Sequence, residues 1–290
     1  MKWFTPLVLV LAMSTTATAA VHQVVHFPSL PDSGTGPETV LTGYLFRPPG
    51  DTARPALVFL HGCGGLFGRS NQFLSRDLRW ASDMNQEGYV VLMVDSFGPR
   101  RHGEMCSQTG FDLHLYLHRP LDAYAALAYL QAQPFVQPDR VGLIGWSQGG
   151  GVTLFSIRAA SLGRPANLSP DRDFRAAVAF YPASCNNKDH RIPWTSTVPL
   201  LILTGADDVW TPAAPCREFA QGAQTRGSPT DIVVYPGAYH DFDFPNERVH
   251  TLPQFVTRGG VVPIVGTNSA ARVEALIKVS AFFAAYLRPR

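Results

Sequence analysis

Residues 141–150 read Val141-Gly142-Leu143-Ile144-Gly145-Trp146-Ser147-Gln148-Gly149-Gly150. The stretch up to Ile144 is a short apolar run of the length of a buried strand, and a helical pattern resumes at Gly149. Between them stands G-x-S-x-G. In a nucleophile elbow the serine occupies a strained strand-to-helix turn. Flanking glycines remove the steric clashes of that turn, and the hydroxyl is lifted clear of the sheet. The motif alone is short enough to arise as an incidental glycine-rich turn. Strand before and helix after are the context that favours the elbow.

Working outward, short β-rich runs alternate with helical patterns on both sides of Ser147. Strands are expected at 21–27, 39–46, 56–60, 89–94, 141–144, 176–180, 199–203 and 231–234. Helices are expected at 70–86, 121–131, 149–162, 213–224 and 270–287. The first two strands read as an antiparallel pair. The rest, separated by helices, predict a mostly parallel central sheet with helices on both faces, the α/β-hydrolase fold. Two long connections, 95–119 and 236–268, are candidate functional loops. No repeat or linker divides residues 21–290, so one domain is expected.

The first residues read as a secretory signal peptide over 1–20: Lys2, an apolar run from Pro6 to Met13, and small residues from Ala17 to Ala20. The apolar run is too short to span a bilayer. Cleavage near Ala20 or Val21 predicts a periplasmic or secreted protein with no membrane attachment. Its loss would take the formal charge from +2 to +1, leaving no electrostatic footprint for nucleic acid. Four cysteines (Cys63, Cys106, Cys185, Cys216) remain, an even count that suits disulfides after export. Three pairings are open. Cys185 and Cys216 each follow neighbouring core strands, which suggests one pair and leaves Cys63–Cys106 as its complement.

A serine hydroxyl needs a base to take its proton and a carboxylate to orient that base. In this fold the order along the chain is serine, acid, histidine. The strand at 199–203 delivers Asp207 and Asp208 at its C-terminal end, where active groups of open α/β sheets gather. Either acid fits, against a reading as solvated loop acids or a helix cap. His240 follows the next strand and is the expected base, ahead of His250, which lies deeper in its loop. The oxyanion needs two donors. The Gln148 backbone N–H is one. The other is expected from His61-Gly62-Cys63-Gly64-Gly65, with Cys63 N–H preferred and Gly64 next. His61 precedes the serine and is read as support for that loop.

Taken together these residues resemble the dienelactone hydrolase family. The likeness rests on the His61-Gly62 loop, Asp95-Ser96-Phe97, Gly145-Trp146-Ser147-Gln148-Gly149-Gly150, Gly205-x-x-Asp208-x-x-x-Pro212 and His240-x-Phe242. It spans nearly the whole chain after residue 20. The resemblance implies ester hydrolysis and selects Asp208, three residues after the glycine and four before the proline, as the acid. This chain departs from the family in carrying Ser147 where those enzymes carry cysteine, and in lacking a match to their glutamate beside the nucleophile.

Weaker signals complete the reading. Arg100 and Arg101 could hold a substrate carboxylate, although loop arginines are more often simply solvated. Trp210 could line the pocket, and Trp146 reads as packing under the elbow. His114 and His118 have the i, i+4 spacing of zinc ligands, but only His102 or Cys106 stands nearby in sequence, so no metal is assigned. No cofactor is expected, and the partner is a small-molecule ester. The alternatives are a prolyl-oligopeptidase-type serine peptidase, a non-catalytic binding protein on the same scaffold, and a chelator-sensitive hydrolase built on the 102–118 loop.

Overall fold

In the strand Arg54–Leu60 (β3), Ala56, Val58 and Leu60 join one apolar cluster while Leu57 and Phe59 join another. This is the period of two by which a strand buries both faces. The computed structural model describes residues 22–32, 38–68, 70–190 and 192–288. The expected signal peptide lies outside these residues.

The other strands are β1 (His22–Pro28), β2 (Val40–Phe46), β4 (Val90–Asp95), β5 (Val136–Trp146), β6 (Ala176–Phe180), β7 (Leu200–Gly205) and β8 (Thr230–Tyr235). They form one eight-stranded sheet in the order β1-β2-β4-β3-β5-β6-β7-β8. β1 pairs antiparallel with β2, and β2 with β4; every later pairing is parallel. Five helices cover it: α1 (Ser75–Gln86), α2 (Leu113–Gln131), α3 (Gln148–Ile157), α4 (Ala213–Thr225) and α5 (Ser269–Leu287). α2, α3 and α4 pack on one face, α1 and α5 on the other. α5 does so through Ala271, Ala275, Val279, Phe283 and Leu287, a stripe at i, i+4 spacing.

Three helix boundaries differ from expectation. α1 starts at Ser75, because Leu74 N–H donates to the Leu66 carbonyl and Phe67 bridges Phe73, which turns the preceding segment back on itself. α2 starts at Leu113 rather than near 121. Asp112 caps it, its carboxylate accepting from Leu115 N–H at 3.0 Å, and Pro120 sits inside the helix. An internal proline costs about 3 kcal/mol, which burial of Leu115, Tyr116 and Leu121 around it offsets. α3 stops at Ile157, whose carbonyl accepts from the Ser196 hydroxyl at 2.7 Å.

Both expected disulfides are present, Cys63–Cys106 and Cys185–Cys216. The first ties the loop after β3 to the 95–112 connection, where Met105 N–H also donates to the Cys63 carbonyl at 2.7 Å. Two disulfides suit an extracytoplasmic, oxidising compartment. Among the described residues no helix is long and apolar enough to cross a membrane.

Candidate active site

Ser147 stands between β5 and α3 with φ 53° and ψ −114°, a conformation that a residue with a Cβ rarely adopts. The surroundings leave it no alternative. Its N–H donates to the Phe180 carbonyl at 2.9 Å, and its own carbonyl accepts from Gly151 and Ala183, each at 3.0 Å. Both motif glycines are sterically required. A Cβ on Gly145 would strike the Gly149 carbonyl, and one on Gly149 would strike the Leu60 carbonyl.

Asp208 lies just past the end of β7 and is buried, whereas Asp207 is exposed. The Asp208 Oδ1 accepts from Trp210 N–H at 2.8 Å and Thr211 N–H at 2.9 Å. Its Oδ2 lies 2.7 Å from His240 Nδ1 and 2.9 Å from the Thr211 hydroxyl. Nδ1 must donate to this carboxylate, which leaves Nε2 as the acceptor of the neutral ring. Burial pushes the His240 pKa down, but the Asp208 charge and hydrogen bond outweigh it, and the value stands above that of an ordinary histidine. His250, the competing histidine, is exposed and bonds only to the Arg248 carbonyl.

The loop after β3 lies against the elbow. A Cβ on Gly62 would sit 3.6 Å from the Ser147 Cβ. His61 Nδ1 donates to the Gly62 carbonyl at 2.7 Å, and Nε2 accepts from Ser96 N–H at 3.2 Å. Burial and the Arg119 charge hold this ring well below the ordinary histidine pKa, so it is neutral and holds the loop. Among the described residues the Cys63 and Gln148 amides donate to no acceptor in the chain.

Sequence reading missed what supports these donors. Arg119 of α2 is fully buried. It donates to the His61 carbonyl and to Gln148 Oε1, both at 2.8 Å, and its guanidinium lies 5.1 Å from the Phe97 ring centroid. Burial lowers its pKa to about 10, so it stays charged at neutral pH. One side chain thus braces both segments that carry the two amides. Arg119→Met is expected to lower kcat by tenfold or more with little change in KM, less than the loss of a whole oxyanion donor. It should also destabilise the fold by about 1–3 kcal/mol through the unpaired carbonyl. Arg119→Lys should restore part of kcat, and an unchanged kcat in Arg119→Met would remove the positioning role.

A second missed group lies beneath. Asp243 accepts from Tyr181 O–H at 2.6 Å, Trp80 Nε1 at 2.7 Å and Trp146 Nε1 at 2.9 Å. Trp146 therefore packs under the elbow and also ties it to the loop of His240. The Tyr181 ring centroid is 4.4 Å from that of His240. Arg76, buried, bonds Asp77 at 2.8 Å and Asp241 at 2.9 Å. The loop is held from its other end too, by Gly266 N–H on the His240 carbonyl and Asn268 N–H on that of Phe242.

The remaining expectations fall apart in space. Arg100 is engaged internally: its guanidinium bonds both oxygens of Asp122, at 2.8 and 2.9 Å, and the Ser96 carbonyl. That corrects the reading of Arg100 as a free carboxylate clamp. Arg101 is exposed, in the left-handed region that ends a short helical turn. Trp210 does stand at the site, its ring centroid 4.9 Å from that of His240 and stacked on Phe255. Beside it a cleft of about 220 Å³ is bordered by Ala183, Ser184, Thr211 and Pro212.

This strand order, with an elbow serine after β5 and acid and histidine after β7 and β8, defines an α/β hydrolase. The chain belongs to the dienelactone hydrolase family, whose pattern it matches over residues 41–287. A Bradyrhizobium sp. protein named "Probable 2-oxo-3-(5-oxofuran-2-ylidene)propanoate lactonase" is 24% identical over 73% of this chain and 82% of its own length. Mouse dipeptidyl peptidase 8 is 25% identical over 72% of this chain, which spans only 26% of that protein. Among solved structures, Thermogutta terrifontis esterase 2 superposes with a TM-score of 0.62 at 16% identity, over 96% of this chain and all of the other.

Proposed function

We propose that this protein is a serine hydrolase of small carboxylic esters or lactones, working through an acyl-enzyme on Ser147. The observation that carries the reading is the buried Asp208–His240 pair, 2.7 Å apart, at the strand ends that also present the strained Ser147. His240 Nε2 takes the Ser147 proton as Oγ bonds to the substrate carbonyl carbon. Cys63 and Gln148 N–H groups receive the oxyanion. Collapse breaks the ester C–O bond, and the leaving alkoxide takes the proton from His240; in a lactone it stays tethered to the acyl group. Water, deprotonated by His240, then frees the acid and restores Ser147.

Family membership and the lactonase relative favour ester or lactone bonds over amides. The peptidase likeness covers only about a quarter of that protein, so it supports a shared fold and triad order more than shared substrates. Purified protein should hydrolyse p-nitrophenyl acetate, p-nitrophenyl butyrate and simple lactones, and leave aminoacyl p-nitroanilides intact. Amide cleavage without ester cleavage would move the reading to a peptidase. A folded chain that fails to react with a fluorophosphonate would move it to a binding protein.

The raised His240 pKa sets a pH dependence. The base works only when unprotonated, so kcat/KM should rise with pH and reach half its plateau above about pH 6.5, the ordinary histidine value. A midpoint below pH 6 would contradict the Asp208 influence. Export completes the proposal. The disulfides support it, and N-terminal sequencing of the exported protein should begin at Ala20 or Val21.

A further inference from the structure

Three metal-ligand atoms converge on the outer side of α2, away from the proposed triad. Asp32 Oδ2 lies 3.4 Å from His114 Nε2 and 3.2 Å from His118 Nε2, and all three atoms fall within 4.8 Å of one another. His114 and His118 are one helical turn apart with their rings stacked at 3.9 Å, so one ring must turn about its Cβ–Cγ bond for both Nε2 lone pairs to meet a single ion. His118 Nδ1 is 2.7 Å from the His114 carbonyl oxygen. A carbonyl can only accept, so the ring proton is on Nδ1. The lone pair of a neutral His118 then points from Nε2 at a carboxylate oxygen. Two acceptors face each other at this distance either with a metal ion between them or with a second ring proton on Nε2, and zinc titration separates the two.

The geometry suits a first-row divalent ion. In a tetrahedral zinc site, with ligand bonds of about 2.0–2.2 Å, adjacent donor atoms are roughly 3.3 Å apart, and both Asp32 distances match. A metal-binding histidine usually donates its other ring N–H to a carbonyl or carboxylate, as His118 does. The three side chains border a cleft of about 570 Å³ that also presents Glu38 and the His102–Asp112 pair. It leaves room for ion entry and for a water as fourth ligand. Two imidazoles and one carboxylate are the donor set of zinc, nickel or iron rather than calcium or magnesium.

We propose that Asp32, His114 and His118 form a zinc(II)-type site that clips the segment after β1 to the first turns of α2. Sequence reading assigned no metal because the pair lacked a neighbour. Cys106 is consumed in a disulfide, and the third ligand comes from 82 residues before His114, where no spacing rule points. Arg119, the brace of the two candidate oxyanion amides, is the next residue after His118. The site does not depend on the proposed hydrolysis.

The test is calorimetric titration of zinc chloride into untagged, chelator-treated full chain, with thermal melting alongside. One ion per chain should bind with micromolar or tighter affinity. At a hundredfold excess over Kd the melting temperature should rise by roughly 5 °C. His118→Ala and Asp32→Asn should lose both effects, and His102→Ala should keep them. All three positions are at least partly exposed, and circular dichroism checks that the variants fold. Absence of binding in the parent chain would leave the cluster a proton-bridged histidine–aspartate pair and overturn the proposal. Equal binding in His118→Ala and Asp32→Asn would place the zinc elsewhere and overturn it too.

Discussion

Ser147→Ala is expected to lower kcat/KM for p-nitrophenyl butyrate by at least a thousandfold while leaving the fold as stable as the parent. The loss is large because nothing else at the elbow can form the acyl-enzyme. The two amides and His240 remain, and they supply the residual catalysis that persists when a triad member is deleted. Stability should change by no more than about 0.5 kcal/mol, since alanine keeps a Cβ and so the same backbone strain at φ 53°. Ser147→Gly separates strain from chemistry. It should be equally inactive but melt higher than Ser147→Ala, because relief of about 1–3 kcal/mol of strain exceeds the entropic cost of glycine. An active Ser147→Ala would mean another nucleophile. An active parent and inert variants that melt in this order would tie strain and nucleophile to one residue.

That residue was the most legible part of the chain, and the reason is local. A nucleophile elbow is specified by contiguous residues, as the collisions at Gly145 and Gly149 demonstrate. Strand periodicity placed His240 and the Asp207–Asp208 pair at one end of the sheet, and the family resemblance rather than the strand chose Asp208. Groups that act across the fold carry no such signal. Asp243 meets its two indole partners 163 and 97 residues away, and Arg119 reaches a carbonyl 58 residues back. Each reads in sequence as an ordinary loop residue, Asp243 in the 236–268 connection and Arg119 at the end of the 95–119 one. Pro120 hid the first half of α2, because local sterics argue for a helix end there while packing carries the helix through. Arg100 failed in the opposite sense: it lies in the right loop, but an internal carboxylate takes its fork.

Asp208→Asn should cost almost as much activity as removing Ser147, about 10⁴-fold in kcat by analogy with the same change in serine proteases, with KM nearly unchanged. The argument is one of hydrogen-bond direction. Oδ1 is held by two backbone donors, Trp210 N–H and Thr211 N–H. An asparagine must keep its carbonyl oxygen there, since a flip would abandon both bonds at about 1–3 kcal/mol each. Its amide nitrogen is thereby turned toward His240, where Oδ2 stood 2.7 Å from Nδ1. It can only donate, so Nδ1 becomes the acceptor and the ring proton moves to Nε2. That tautomer has no lone pair for the Ser147 proton, and the imidazolium formed during reaction loses its counter-charge. The Thr211 hydroxyl, 3.0 Å from the Tyr181 carbonyl, still has an acceptor, so the loop should fold. Asp207→Asn, at the exposed neighbour, should match the parent within a factor of two. Asp208→Asn within tenfold of the parent, or Asp207→Asn equally impaired, would show that the orienting acid had been misassigned.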